Sequence, residues 1–225
     1  MSAERHAVIT GGTGALGSAV VARMLVEGAR CHVTYVDERE LTGFAHAGAV
    51  DLQKVDVGDE AAVQAFYAGL PQLDASIHLV GGFMAKPVAE TALADFERMF
   101  RLNAVTAFLC CRAAIERMRG RGGRIVNVAA RPALVPTAGV VAYATAKSAV
   151  AALTSALSAE VASEGILVNA VVPSVMDTAQ NRRAMPRADH GAWPKVEEVA
   201  EAIAFLAGTR NALTSGALLP VFGRA

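Results

Sequence analysis

The sequence predicts a single α/β domain built on a doubly wound, mainly parallel sheet of seven strands, with helices on both faces. Short apolar segments alternate with longer segments of helical periodicity, as in parallel sheets covered on both sides. The composition is 53% hydrophobic but only 5% aromatic, so aliphatic side chains must fill the core, as buried parallel strands prefer. A chain of 225 residues can form one continuous core, and we therefore expect one domain over residues 1–225.

Seven apolar segments have the length and the aliphatic content of buried strands. These predicted strands are residues 7–9, 31–36, 50–55, 76–80, 124–128, 167–172 and 217–221.

Five segments between the strands show helical periodicity. They are residues 15–27, 59–68, 91–118, 142–163 and 195–207, of which 91–118 is either one helix or two. Gly28, Gly120 and Gly165 follow three of these segments, and glycine is the preferred residue just beyond a helix end.

One long segment without clear periodicity follows the sixth predicted strand. Residues 173–194 contain three prolines and mixed charges. Irregular segments of this length in compact domains usually have a function, and we expect residues 174–195 to form a lid over a substrate.

The charge balance argues against nucleic acid and membrane as partners. The 21 Lys and Arg residues equal the 21 Asp and Glu residues, so no long-range field attracts a polyanion. No segment approaches the roughly 18 apolar residues of a membrane span, and the start of the chain lacks the pattern of a signal peptide. These observations favour a small, partly apolar ligand.

Cysteine usage points to a reducing compartment. The chain has three cysteines, Cys31, Cys110 and Cys111, and two of them are adjacent, so they do not form a disulfide framework. We expect reduced thiols in the core of a cytoplasmic protein.

A glycine-rich turn directly follows the first predicted strand. Residues 10–17 read Thr-Gly-Gly-Thr-Gly-Ala-Leu-Gly and lead into a helix. Glycine lets the backbone approach a pyrophosphate, and the N–H groups at a helix start attract phosphates. The turn alone is also compatible with an ordinary connection between a strand and a helix that binds no ligand.

This turn resembles that of the short-chain dehydrogenase/reductase family, in which Thr-Gly is followed by three variable residues, Gly, an aliphatic residue and Gly. Ala15 replaces the middle glycine. Gly11, Gly14 and Gly17 also fit the spacing of the extended family, but that family has a further substrate domain for which this chain is too short. The resemblance implies a Rossmann-type fold that binds NAD or NADP.

The same resemblance assigns the cofactor contacts. They fall on Gly11, Thr13, Ala15, Leu16, Tyr35, Asp56, Val57, Val80, Gly81, Tyr143, Lys147, Pro173, Val175 and Met176.

Two of these positions stay open at the sequence level. Tyr35 occupies the place of the family's ribose-binding Asp, and Val36 that of its phosphate-binding Arg, so the choice between NAD and NADP is unresolved. Asp56 matches an adenine-contacting Asp, but it also suits an ordinary turn at a strand end.

Tyr143 and Lys147 have the spacing of an acid–base pair. Four residues apart on a predicted helix, they lie on one face. A phenol with a pKa of about 10 is a poor acid at neutral pH, and a nearby ammonium is expected to lower that pKa towards the working range. The pair resembles that of short-chain dehydrogenases, which carry it after their fifth strand, as here. By the same resemblance, Asn103 matches the asparagine that completes the proton relay of that family. No group of His, Cys and carboxylates has metal-ligand spacing.

One position departs from the family. Its substrate-binding serine falls on Ala130, so either Thr137 or Ser148 replaces it or the substrate needs no such donor. Dihydropteridine reductases also have alanine there, and they resemble this chain at Gly81-Gly82-Phe83 and over residues 176–193.

The sequence therefore predicts an NAD(P)-dependent oxidoreductase with Tyr143, Lys147 and Asn103 as its catalytic residues, acting as a homodimer or homotetramer. Two alternatives remain. One is a reductase similar to quinonoid dihydropteridine reductases, and the other is a non-catalytic dinucleotide-binding sensor or partner protein. Substrate and reaction direction are not determined.

Overall fold

Seven parallel strands form one sheet in the computed structural model, which describes residues 4–224. The sheet order is β3-β2-β1-β4-β5-β6-β7, and every pairing is parallel. The predicted doubly wound sheet is confirmed. The strands are β1 (Arg5–Thr10), β2 (Ala29–Tyr35), β3 (Asp51–Lys54), β4 (Ala75–His78), β5 (Gly123–Val128), β6 (Ile166–Pro173) and β7 (Leu218–Val221).

Seven α-helices connect these strands within residues 4–224. They are α1 (Ala15–Val26), α2 (Glu60–Ala68), α3 (Leu93–Phe100), α4 (Thr106–Met118), α5 (Val141–Glu160), α6 (Ala179–Ala184) and α7 (Val196–Ala207). The predicted helix over 91–118 is two helices, joined by a π-helical turn at Arg101–Val105. Gly28, Gly120 and Gly165 all have a positive φ at helix ends, as predicted.

The helices cover both faces of the sheet because strand side chains alternate between the faces. In β1, Ala7 and Ile9 pack in a core with α1 and α7, whereas Val8 between them packs on the opposite side with α2 and α4. Each central strand is therefore buried on both sides, which explains its nearly continuous apolar sequence.

The chain changes direction between β1 and β4, the neighbours at the centre of the sheet. Helices on either side of this switch point leave a crevice at the carboxyl ends of the strands, where open α/β sheets bind ligands. The glycine-rich turn follows β1 there, and Leu79 to Gly82 follow β4.

All three cysteines are buried and free, which confirms the expected core thiols. Burial raises the pKa of Cys31 and of Cys111 to about 12. None of the helices within residues 4–224 combines the length and the hydrophobicity that a membrane span requires.

Candidate active site

A cleft of about 470 Å³ lies at the switch point. It contains the glycine-rich turn, the loop after β4, the first residues of α5 and the loop after β6. Its lining residues are Gly11, Gly14, Ala15, Leu16, Gly17, Leu79, Gly81, Gly82, Phe83, Asn103, Val128, Ala129, Ala130, Tyr143, Lys147, Pro173, Ser174, Met176, Thr178, Ala179, Gln180 and Asn181.

Gly11 and Gly17 make the turn after β1 tight. Gly11 has φ +67°, and a Cβ there would lie 3.1 Å from Val80 Cγ2. A Cβ on Gly17 would lie 2.3 Å from the Gly11 carbonyl oxygen, so the start of α1 packs directly on the turn. No side chain caps α1, and its first turn has no acidic residue. Its first N–H groups can therefore bind an anion.

Thr10 is the last residue of β1 and lies beside this turn. Its Oγ1 is buried and has no hydrogen-bond partner among residues 4–224. An unpaired buried hydroxyl is unusual because it loses its hydration without compensation.

Lys147 lies on α5 beneath the cleft. Its Nζ donates a hydrogen bond of 2.8 Å to the Val128 carbonyl oxygen at the end of β5, and only 6% of the residue is exposed. Burial lowers the pKa of Lys147 to about 8. The ammonium is therefore still the main form at neutral pH.

Tyr143 lies one helical turn before Lys147 and also lines the cleft. Its ring meets the Phe83 ring edge-on, with 5.0 Å between the centroids. Burial raises the pKa of Tyr143 to about 12, opposite to the lowering that the Tyr–Lys spacing predicts. The difference arises because Lys147 donates to Val128, while burial disfavours the phenolate.

Asn103 lies in the π-helical turn between α3 and α4, a kind of turn that is frequent at functional sites. Its Nδ2 donates to the Gly82 carbonyl at 3.1 Å, and its Oδ1 accepts from the Gly82 N–H at 3.2 Å. A Cβ on Gly81 would lie 2.6 Å from Asn103 Oδ1 and 3.2 Å from Lys147 Nζ. Asn103 thus holds the loop after β4, and glycine is required at position 81.

The residues assigned to the adenosine end lie outside the cleft lining. The Tyr35 hydroxyl contacts Glu38 Oε1 at 3.3 Å. Thr13 Oγ1 instead donates to Glu40 Oε2 at 2.6 Å. Asp56 accepts from the Gly58 N–H at 2.8 Å, which is the ordinary strand-end turn left open above.

Ala130 lines the cleft and is 5% exposed. Neither hydroxyl considered as its replacement lies in the cleft lining, because Thr137 and Ser148 line a separate groove. Replacement of the missing serine by either residue, one of the two alternatives that the sequence leaves open, therefore has no structural support. The polar side chains that do line the substrate side include Ser174, Thr178, Gln180 and Asn181.

The predicted lid over residues 174–195 is partly ordered as α6. Thr178 caps this helix by accepting from the Asn181 N–H at 3.1 Å, and only the first part of the segment lines the cleft. Trp193 packs against His190, with 4.6 Å between their rings, and neither lines the cleft.

Nine residues predicted from the sequence meet at this cleft, whereas six others do not line it. The nine are Gly11, Ala15, Leu16, Gly81, Asn103, Tyr143, Lys147, Pro173 and Met176. The six are Thr13, Tyr35, Asp56, Val57, Val80 and Val175. Sequence reasoning missed Leu79, Val128 and Ala129, which contribute through backbone position and carry no chemical signature.

The chain is similar in sequence to known dehydrogenases. The family model described as short chain dehydrogenase matches residues 5–188. The chain is 35% identical to cis-4-hydroxycyclohexanecarboxylate dehydrogenase of Sinomonas cyclohexanicum, over 98% of this chain and 96% of that protein. It is 30% identical to D-threitol dehydrogenase of Mycolicibacterium smegmatis, over 96% and 91% of the two chains.

Solved structures show the same fold. A dehydrogenase/reductase from Sinorhizobium meliloti 1021 superposes with a TM-score of 0.84 at 28% identity, covering 97% of this chain and 94% of that one. ElxO with NADP bound superposes with a TM-score of 0.90 at 23% identity, covering 98% of each chain.

The chain belongs to the short-chain dehydrogenase family and is an oxidoreductase of that family. These relatives give no support to the predicted likeness to dihydropteridine reductases, and they do not favour a non-catalytic sensor.

Proposed function

We propose that this chain transfers hydride between a nicotinamide dinucleotide and a small, uncharged organic substrate, with Tyr143 as the proton donor or acceptor. The observation that carries the proposal is the shared cleft. Tyr143, Lys147 and the glycine-rich turn open into one crevice at the carboxyl edge of the sheet, where α/β sheets bind dinucleotides.

The residues of the cleft fit such a cofactor. The uncapped start of α1 suits a pyrophosphate, and Gly11 lets the backbone approach it closely. Gly81 leaves open the space that a Cβ would fill beside Asn103 and Lys147. When bound, the nicotinamide supplies or accepts the hydride.

Tyr143 and Lys147 would handle the proton. With its pKa raised to about 12 by burial, the Tyr143 phenol is protonated at neutral pH and can donate to a developing alkoxide. The charged Lys147 ammonium has three N–H donors, one of which is used by Val128. The other two are available to hold the cofactor ribose, while Asn103 keeps the Gly82 loop in place beneath it.

The lining of the cleft suggests an uncharged substrate. Lys147 is the sole side chain with a formal charge among the described residues that line it, and Phe83, which is 66% exposed, lies next to Tyr143. An apolar ring or chain on the substrate could pack against Phe83 and Met176. Residues 174–195 would act as the substrate loop.

A substrate screen with a matched pair of glycine variants tests the proposal. Purified protein is titrated with NADH and NADPH by fluorescence, and alcohols and ketones are then screened with both cofactors. Gly11→Asn and Gly28→Asn place the same side chain at similar backbone angles, φ +67° and φ +75°. Gly11→Asn should abolish nucleotide binding, while Gly28→Asn, which meets open space, should retain it.

Two outcomes would contradict the proposal. Binding of neither nucleotide by the wild type would remove the cofactor site. Tight binding without turnover on any alcohol or ketone would support a dinucleotide sensor.

We also infer that the chain works as a homodimer or homotetramer in the cytoplasm. Phe100 and Phe108 are 38% and 44% exposed and line an apolar groove with Ala149 and Leu153 of α5, which suits contact with a second copy. Buried free thiols are consistent with a reducing compartment. Light scattering on the wild type and on Phe108→Glu measures the molar mass in solution and so tests the oligomer. The molar mass of the variant should be lower than that of the wild type.

A further inference from the structure

The Glu40 side chain joins the glycine-rich turn to the end of β2. Its Oε2 accepts a hydrogen bond of 2.6 Å from Thr13 Oγ1. Its Oε1 accepts from the N–H groups of Val36 at 3.2 Å and Asp37 at 2.9 Å. Three bonds from two segments therefore hold this carboxylate in one position.

Glu40 is charged in this position. Burial acts to raise the pKa of Glu40, but the hydrogen bonds from Thr13, Asp37 and Val36 outweigh it, and the pKa lies below its ordinary value. A carboxylate has about four acceptor positions. The three bonds to Glu40 leave one acceptor position on Oε2 for a hydroxyl of a ligand.

The position of Glu40 suits a contact with the cofactor ribose. A dinucleotide whose pyrophosphate lies on the start of α1 extends its adenosine towards the end of β2, where a carboxylate accepts from the ribose 2′-hydroxyl. Tyr35, the residue at the usual place of that carboxylate, turns its hydroxyl to Glu38. Glu40 returns to the turn because the 3₁₀ helix Glu38–Leu41 folds the chain back.

Two cations close to the end of β2 are already paired. Arg39 Nε donates to Asp37 Oδ2 at 2.8 Å, and Lys54 Nζ lies 3.6 Å from Glu38 Oε1. A 2′-phosphate placed here would meet the Glu40 carboxylate without an unpaired cation from this loop, and juxtaposed like charges repel each other.

We propose that Glu40 is the specificity-determining residue for the cofactor, accepting a hydrogen bond from the adenosine ribose and making the chain prefer NAD(H) to NADP(H). This inference rests on the proposed function, because it assigns one end of the same cofactor site. It adds a carboxylate that lies five residues beyond Tyr35.

Binding measurements on two charge-matched variants test the assignment. The dissociation constants of NADH and NADPH are measured by fluorescence for the wild type, Glu40→Gln and Glu38→Gln. Glutamine at position 40 keeps an acceptor for the Val36 and Asp37 N–H groups, and thermal unfolding checks that the loop remains folded. Calorimetry with adenosine 5′-monophosphate and adenosine 2′,5′-bisphosphate isolates the adenosine end and reads binding without turnover.

The wild type should bind NADH at least about tenfold more tightly than NADPH, and the two adenosine nucleotides should show the same order. Glu40→Gln should narrow that ratio by about tenfold, whereas Glu38→Gln should leave it nearly unchanged. Equal or tighter binding of NADPH by the wild type would overturn the inference but leave the proposed function standing. An equal shift in both variants would also overturn it, since loop charge and not Glu40 would then set the preference. Binding of neither nucleotide would overturn the proposed function, and this inference with it.

Discussion

Two groups of polar side chains, one in the core and one at the cleft, differ in how fully they are hydrogen-bonded. We call the first the core network, which consists of Tyr67, Ser76, His78, Asn127 and Thr154. We call the second the cleft group, which consists of Tyr143 and Lys147 in the cleft lining and Thr10 beside the glycine-rich turn.

Each member of the core network has a partner. Tyr67 Oη lies 2.7 Å from Ser76 Oγ, Ser76 Oγ lies 2.8 Å from His78 Nε2, and His78 Nδ1 lies 2.8 Å from Asn127 Oδ1. Asn127 Nδ2 donates to Thr154 Oγ1 at 3.0 Å. Burial lowers the pKa of His78 to about 4, so the network is uncharged at neutral pH.

The cleft group is not satisfied in this way. Thr10 Oγ1 has no partner among residues 4–224, and the Lys147 charge is buried with one acceptor, the Val128 carbonyl. Buried charges are destabilising unless paired, and sites that bind ligands often retain such a cost. The core network therefore serves stability, whereas we expect the cleft group to serve binding and chemistry.

The largest effect on turnover is expected when the single hydroxyl oxygen of Tyr143, in the cleft group, is removed. Tyr143→Phe should lower turnover by about 10²- to 10⁴-fold, the contribution of a positioned acid, because it removes the proposed proton donor. Cofactor affinity and the free energy of unfolding should change little. Steady-state kinetics, nucleotide titration and denaturant unfolding measure the three quantities. A Tyr143→Phe enzyme as active as the wild type would exclude this phenol from the mechanism.

Lys147→Met should abolish most activity and yet stabilise the fold. Burial lowers the pKa of Lys147 from 10.5 to about 8, and each pKa unit corresponds to about 1.4 kcal/mol. After the lost bond to Val128 is allowed for, the free energy of unfolding at pH 7 should rise by about 2 kcal/mol.

The sign of this effect depends on pH. The unfolded chain binds the Lys147 proton more tightly than the folded chain, so the cost is fully present below pH 8. It disappears as the pH rises from about 8 to 10.5. The stability advantage of Lys147→Met, measured by denaturant unfolding, should therefore shrink over that interval. An advantage independent of pH would show that the buried charge is not its cause.

Tyr67→Phe makes the same chemical change as Tyr143→Phe, but in the core network. It leaves Ser76 and His78 short of one partner, and we expect the free energy of unfolding to fall by about 1–3 kcal/mol. Turnover of the folded enzyme should stay within about twofold of the wild type. A loss of turnover without a loss of stability would show that Tyr67 contributes to the reaction and not only to the stability of the core network.

Sequence patterns predicted the sheet well because apolar periodicity reports burial directly. All seven strands are present, but the fourth ends at His78 and not at Val80. Leu79 and Val80 are apolar, yet they leave the sheet at the switch point, which strand periodicity does not reveal. The break in residues 91–118 at Arg101–Val105 also lacks a glycine or proline signal.

The lining of the candidate site was predictable where backbone geometry dictates residue type, as at Gly11, or where spacing fixes two side chains, as at Tyr143 and Lys147. It was not predictable where a flexible side chain selects among neighbours. Glu40 bonds to Thr13 because a 3₁₀ turn returns it, and Lys147 bonds to Val128 and not to Tyr143. The direction in which the Tyr143 pKa shifts depends on this partner of Lys147.

The smallest expected effect concerns Ala130, which precedes the 3₁₀ turn Arg131–Ala133 as its N-cap residue. A preorganised donor contributes about 2.7–4 kcal/mol to an oxyanion-type transition state, but a serine here would also act as an N-cap, since caps favour serine. Because the hydroxyl would bind either the substrate or the N–H groups of the turn, Ala130→Ser should raise kcat/KM on ketones by less than about tenfold. It should not improve the reduction of quinonoid dihydropterin. Kinetics of both proteins on a ketone panel and on the pterin measure this. A rise of about 10²-fold or more on ketones would show that the cleft is fully organised around the missing hydroxyl, and pterin reduction exceeding all ketone activity in the wild type would revive the dihydropteridine reductase alternative.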